Sequence, residues 1–254
     1  MRHTKPKLFR DPVHDIIAFD QSEPEGRLLL ALVDCPEVQR LRRIRQLALS
    51  FLVYHGAEHS RFSHSIGVSW VARAMMNELT KSHPISVEER LVTLAASLLH
   101  DVGHGPFSHA MEAVTGAHHE SRSIGLIRHP ESHIHRTLQA FDGTLAEKVA
   151  DRVVGGGEGP PFLRQIVSGQ LDADRLDYIL RDGHATGVKI GSFQALKHRI
   201  ARVFCEVELT RSIVTDAWRA LDEQDSECSK IASTCKARAS DTYRLASNES
   251  IQLH

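Results

Sequence analysis

The sequence has 254 residues, enough for one large domain or two small ones, and its 41% hydrophobic content is that of a packed globular core. A formal charge of -1 excludes a global field that would draw the protein onto nucleic acid or an anionic membrane, so any anion binding must be local. Four scattered cysteines with no C-x-x-C pair predict reduced thiols, no apolar run approaches the ~20 residues that span a bilayer, and no apolar leader opens the chain, so a cytoplasmic, non-membrane protein is expected.

Residues 7–20 carry β-leaning side chains (Leu8, Phe9, Ile16, Ile17, Phe19) around Asp11 and Pro12, which predicts a short N-terminal β-hairpin or extended arm. From Arg27 the period turns helical: an apolar run over 28–33, then Pro36 at a first-turn position ahead of Val38, Leu41, Ile44 and Leu47. Arg40, Arg42, Arg43 and Arg45 make that segment locally basic, which reads either as a solvated face or as an anion site. His64 opens the next amphipathic segment, in which Val68, Val71, Met75 and Leu79 recur at helical spacing. Leu91, Leu94, Ala95, Leu98 and Leu99 form a further helix that Gly103, Gly105 and Pro106 must end, so His100 and Asp101 stand at its mouth. Pro106 sets the start of another helix, on which His109 and Glu112 share a face. Gly155, Gly156, Gly157, Pro160 and Pro161 mark a loop without the Lys-Ser or Lys-Thr of a phosphate-binding loop. Helical period returns over 162–167, 174–181 and 193–203. After about Thr210 the chain is polar and weakly periodic, so residues 1–210 are expected to form the core and 211–254 a weakly ordered or truncated tail.

The 17 histidines are the compositional outlier, and many fall between His100 and His135. His64, His100, Asp101 and Asp174 read as two nitrogens and two oxygens delivered by three helices. That mixed set suits Fe, Mn, Zn or Ni better than Mg, which prefers oxygen ligands and would sit on a phosphate chain instead. Taken singly, Asp174 also reads as a helix cap and each histidine as a hydrogen-bonded core residue. Arg61, three residues before His64, and Arg175, directly after Asp174, place two cations beside the set. Glu112 beside His109 makes a proton-transfer dyad. A Lewis acid, a proton donor and cations along a phosphate chain are what phosphate-ester hydrolysis requires.

The order of H, then HD 36 positions later, then a downstream D resembles that of the HD-domain phosphohydrolases. The strings DPVHDII, VDCPEVQRLRRIRQL, RFSHSIGV, LLHDVGHGPFSHAME, HHES and LDADRLDYILRD are similar to one branch of them, the deoxynucleoside triphosphate triphosphohydrolases, from about Lys7 to about Glu208. The resemblance implies an all-α HD-domain helical bundle. It implies hydrolysis of deoxynucleoside triphosphates to deoxynucleoside and tripolyphosphate, with another nucleotide or phosphate ester as the alternative substrate. His104, His109 and His119 match active-site histidines of that branch, and Glu112 its paired carboxylate. Arg61 and Arg175 match basic residues there, Tyr178 and Asp182 resemble phosphate and 3'-hydroxyl contacts, and Gln46 and Leu47 a sugar-contacting pair. Lys7, Asp34, Gln39 and Arg42 match an effector pocket in which guanine is recognised between subunits, which implies a guanine-nucleotide effector and a homo-oligomer. A chain of this branch would continue with an ordered C-terminal region to which residues 211–254 show no match.

Overall fold

The structure is a computed structural model that describes residues 5–107, 109–116, 118–187 and 194–253; the side chains of 109, 110, 113, 194–198, 200 and 249–253 lie outside the description. Contacts divide the chain into residues 1–188 and 189–254. In the first unit, β1 (Lys7–Asp11) and β2 (Asp15–Phe19) pair antiparallel with Phe9 opposite Ile17. Asp11 makes the turn, because its Oδ1 accepts from the backbone N–H groups of Val13 (2.9 Å) and His14 (3.1 Å). Ile17 and Phe19 are fully buried and fix the hairpin to the core.

Helix α1 (Pro24–Val33) follows, and α2 (Pro36–Gln39) begins, as the sequence predicts, on its proline. The regular helix then stops short of Leu47: Arg40–Arg43 form a 3-10 turn and Ile44 is extended. Tertiary bonds decide this. Arg40 Nη1 donates to the His104 carbonyl at 2.7 Å and Nη2 to that of Val102, while the Ile44 carbonyl accepts from Arg61 N–H at 2.8 Å and Arg45 bridges to Ser60.

Helix α3 (Arg61–Leu79) is capped by Ser60, whose hydroxyl accepts from Ser63 N–H, and α4 (Val87–Leu99) by a reciprocal capping box between Ser86 and Glu89. Every residue of α4 from Val92 to Leu99 is buried, because α1, α3, α8 (Leu145–Val153) and α9 (Pro161–Val167) pack around it. Full burial of Leu94, Leu98 and Leu99 contributes roughly 1.5–3 kcal/mol each. Between α4 and α8 run α5 (His109–Thr115), α6 (His119–Arg128) and α7 (His133–Phe141). After α9 comes α10 (Ala173–Thr186).

Helix α10 lies against α3 across Gly67, where a Cβ would stand 2.0 Å from Asp177 Oδ1 and 2.4 Å from Arg181 Nη2. Gly67→Ala is therefore expected to push the two helices apart, with a loss of about 1–3 kcal/mol in chemical denaturation, the usual scale of overpacking. An unchanged denaturation midpoint would contradict the packing.

The second unit is a helical hairpin of α11 (Gln194–Asp222) and α12 (Cys228–Leu253). Thr210 and Thr242 share a hydrogen bond (2.7 Å), Arg238 pairs with Glu206 (2.5 Å), and Ala220 and Thr242 are buried. The expected boundary at residue 210 thus falls inside α11, and the polar stretch expected as a loose tail is described as helix. Its weak periodicity has a physical reason: the small residues Ala220 and Thr242 are what the contact buries, while pairs such as Arg219–Asp216 and Arg244–Asp241 line the exposed faces. Among the described residues the strands are confined to the N-terminal hairpin, so the all-α fold with an N-terminal hairpin is the one observed, and no described helix is long and apolar enough to cross a membrane.

Candidate metal centre

The mouth of α4 is where the predicted ligands meet. His100 follows α4 directly, and its Nδ1 donates to the Ser97 carbonyl at 2.9 Å, which leaves Nε2 as the lone-pair nitrogen. His64, in the first turn of α3, is fixed the same way: Nδ1 faces Asp177 Oδ2 at 2.7 Å. The two Nε2 atoms are buried and, among the described residues, have no hydrogen-bond partner of acceptable geometry. His64 Nε2 lies 3.0 Å from Asp174 Oδ1 and 3.7 Å from Asp101 Oδ2, and His100 Nε2 lies 3.5 Å from Asp101 Oδ1 and 3.7 Å from Asp174 Oδ1. Two imidazole nitrogens facing two carboxylates call for a proton or a metal cation among them. An imidazole whose other nitrogen is held by a carboxylate or carbonyl is oriented as metal-bound histidines are. The four donors fit a divalent metal. The helix cap of α10 is Asp172, whose side chain accepts from Arg175 N–H at 2.9 Å, so Asp174 is left for the site.

A second ring of groups surrounds Asp101. His104 Nε2 lies 3.3 Å and His119 Nε2 3.9 Å from its Oδ1, and the two imidazoles stack with centroids 3.8 Å apart. Asp101, His104 and His119 form a second set of donors within 4.8 Å of one another, beside His64, His100 and Asp101. His119 opens α6, and Glu112 accepts both its backbone N–H (2.8 Å) and its Nδ1–H (2.6 Å). The partner that Glu112 shows is thus His119, seven residues on in sequence; the side chain of His109, expected to share a face with Glu112, lies outside the described residues. Gly103 makes the approach of α6 possible, since a Cβ there would stand 2.3 Å from the His119 carbonyl oxygen.

The cations divide. Arg61 is buried and pairs with Asp101, so it orients a ligand, whereas Arg175 is exposed at the start of α10. Tyr178 is half-buried, and burial raises its hydroxyl pKa. Gln46 is held through its backbone N–H to the His59 carbonyl (3.0 Å), Leu47 is half-buried beside it, and Asp182 stands 3.7 Å from His59. Lys7, Asp34, Gln39 and Arg42 line one cavity of about 720 Å³, where Arg42 donates to Gln39 Oε1 (2.8 Å) and stacks on Phe62. Of the remaining basic segment, Arg40 is spent on backbone carbonyls and Arg45 on Glu58, so a uniformly solvated face is not what forms.

A buried network behind His64 was not anticipated as part of the site. Asp177 is completely buried; it meets His64, His14 Nε2 (2.5 Å) and Arg181 Nε (2.7 Å), and Arg181 Nη1 reaches Asp11 at 2.9 Å. The strings DPVHD and DADRLDYILRD held these residues, and the i,i+4 spacing of Asp177 and Arg181 is a signal; that the N-terminal turn folds onto α10 is not.

Residues 61–152 match the HD domain family, the interval that opens on Arg61 and carries His64, His100 and Asp101. Residues 61–152 therefore carry the HD domain. Residues 174–254 are similar to the C-terminal domain of acyl-CoA dehydrogenases. The Bacillus subtilis protein YwfO, uncharacterised, is 39% identical over 79% of this chain and 44% of its own length. The deoxynucleoside triphosphate triphosphohydrolase SAMHD1 of Bos taurus is 32% identical over 82% of this chain and 40% of its own length. A crystal structure of a Bacteroides thetaiotaomicron phosphohydrolase matches 73% of this chain and 44% of its own at 39% identity, with a TM-score of 0.62. The chain thus spans less than half the length of these relatives.

The charges of the HD site predict a pH profile. Burial pulls the His64 imidazole down, but the carboxylates of Asp174 and Asp177 outweigh it and push the pKa up to about 10. Burial lowers His104 and His59 to about 4. A histidine raised above its unfolded value of about 6.5 adds stability that is fully present below that value and is lost as pH rises towards 10. Histidines depressed to about 4 work oppositely, because below 6.5 the unfolded chain takes up protons that the fold refuses. In chelator, the melting temperature is expected to peak near pH 6.5 and fall on both sides, read by thermal melts from pH 4 to 10. A flat profile between 4 and 6.5 would contradict the neutral state of His59 and His104.

Proposed function

We propose that this HD protein is a metal-dependent phosphohydrolase that converts deoxynucleoside triphosphates to deoxynucleoside and tripolyphosphate. The observation that carries the reading is the pair of buried Nε2 atoms of His64 and His100, without a hydrogen-bond partner among the described residues, facing Asp101 and Asp174. A divalent ion (Fe, Mn, Zn or Ni) held by those four residues would supply a Lewis acid for a phosphoryl oxygen. Arg61 and the His64–Asp177 bond hold the ligands in place. His119, with Nδ1 on Glu112, turns Nε2 towards Asp101 as a candidate proton carrier, with His104 stacked on it and His109 as a further candidate. Arg175, Tyr178 and a companion Mg would bind the phosphate chain, and Gln46, Leu47 and Asp182 the sugar. The similarity to SAMHD1, a triphosphohydrolase by name, supports the substrate class. The cavity lined by Lys7, Asp34, Gln39 and Arg42 is read as a guanine-nucleotide effector site of a homo-oligomer.

The test is the identity of the products. Incubation of the metal-loaded protein with a panel of deoxynucleoside triphosphates is expected to release one equivalent of tripolyphosphate per deoxynucleoside. Arg175→Ala is expected to raise KM and lower kcat together, because positioning and charge stabilisation are both lost. Orthophosphate released first, with a nucleoside diphosphate accumulating, would instead favour an HD phosphohydrolase for another nucleotide or phosphate ester.

A further inference from the structure

The hairpin turn and α10 close on His64 from behind, although His14 and Asp177 stand 163 positions apart in the chain. In the turn, Asp11 Oδ1 accepts from the N–H groups of Val13 and His14, Asp15 takes a left-handed backbone (φ 59°), and the His14 side chain is only 9% exposed. On α10, Asp177 and Arg181 share a face at i,i+4 spacing and both are buried. Turn, helix and ligand are then joined twice. His14 Nε2 donates to Asp177 Oδ1 at 2.5 Å, while His64 Nδ1 donates to Asp177 Oδ2 at 2.7 Å. Arg181 pairs through Nη1 with Asp11 at 2.9 Å and donates through Nη2 to the Ser63 carbonyl at 2.8 Å. One bridge thus ties the hairpin to the ring of His64, and the other ties it to the backbone beside that ring.

Holding the hairpin to the core does not require this network. Ile17 and Phe19 are fully buried and already do so, and buried ion pairs stabilise weakly because desolvation offsets their attraction. What the network supplies is direction. Three donors, from the hairpin, from α3 and from α10 itself, fix the plane of the Asp177 carboxylate. Among the described residues His14 is the donor that reaches Oδ1, so without it Asp177 is held on its Oδ2 side alone and is free to rotate under His64. We infer that His14 is a positioning residue of the metal centre: it fixes Asp177, Asp177 fixes the His64 imidazole, and the N-terminal hairpin is thereby coupled to the ion. Such coupling is reciprocal, so bound metal must also hold the hairpin down. The inference rests on the four-ligand centre proposed above and not on the substrate proposed for it.

The test reads metal and hairpin separately, with zinc alone as the probe. Zinc would be titrated into the metal-free full chain against a chromogenic chelator, with Asp174→Ala marking the signal of the centre among the 17 histidines. His14→Ala is expected to bind zinc ~10- to 100-fold more weakly than wild type, the usual loss when a group that orients a metal-bound histidine is altered. His14→Gln, which restores an N–H donor, is expected to recover most of that affinity. Amide hydrogen exchange over residues 7–19 is the second readout. Wild-type hairpin amides are expected to exchange more slowly with zinc bound, and those of zinc-saturated His14→Ala to show no such change. A residue that only stabilised the fold would lower the melting temperature and leave both zinc readouts as in wild type. Wild-type affinity in His14→Ala, or wild-type hairpin exchange indifferent to zinc, would overturn the assignment. Should His14→Ala not fold, the wild-type exchange decides. Zinc bound by Asp174→Ala as tightly as by wild type would remove the centre and the role of His14 together. Weakened zinc in His14→Ala beside orthophosphate as the first product of wild type would sink the proposed reaction and leave His14 standing.

Discussion

Asp174→Ala protein is expected to purify without stoichiometric metal and to show no detectable hydrolysis. Asp174 is one of four converging donors, and three remaining ligands hold a divalent ion too weakly to survive purification. The substitution is a clean one, since Asp174 is the most exposed of the four, at 35% for the side chain, and is not the cap of α10. Its removal leaves the fold with Asp172 at the helix start, so circular dichroism should be unchanged while metal analysis reads zero. Asp101→Ala is expected to abolish the same two properties and also to cost stability. It leaves Arg61 buried without its carboxylate, and breaking a buried pair on one side typically costs about 3–5 kcal/mol. Full metal content with full activity in the Asp174 variant would disprove the centre.

His119→Ala is expected to behave differently: metal stays bound and kcat falls by about 10² to 10⁴, the usual scale of lost general acid or base catalysis. Glu112→Gln should approach that loss. With its Nδ1–H acceptor weakened, the ring no longer presents Nε2 towards Asp101, which it now faces at 3.9 Å. His109→Ala carries the same expectation of a slow, metal-loaded enzyme. Metal analysis beside the kinetics separates two roles for the second set of donors. Loss of metal in His119→Ala would move His119 into the ligand shell with Asp101 and His104, and retained metal with a slow rate would keep it in proton transfer.

Much of the centre was legible in the sequence because its signals are local. The apolar run of α4 ends at glycines and a proline, which fixes His100 and Asp101 at a helix mouth whatever lies around them. Pro36 starts α2 and the β-leaning residues of 7–19 make a hairpin for equally local reasons. Tertiary structure alone decided the rest. Arg40 reaching two carbonyls ends α2 earlier than its periodicity predicts, and the packing of α6 on the turn after α4 pairs Glu112 with His119. Asp177 becomes the anchor of His64 because Gly67 lets α10 approach α3, and His14 joins it because the hairpin turn folds over α10. Periodicity reports which face of an element is apolar, and turn residues report where it stops. Neither reports which distant backbone carbonyl, carboxylate or imidazole will meet that face, because such pairing is set by the packing of whole elements against one another.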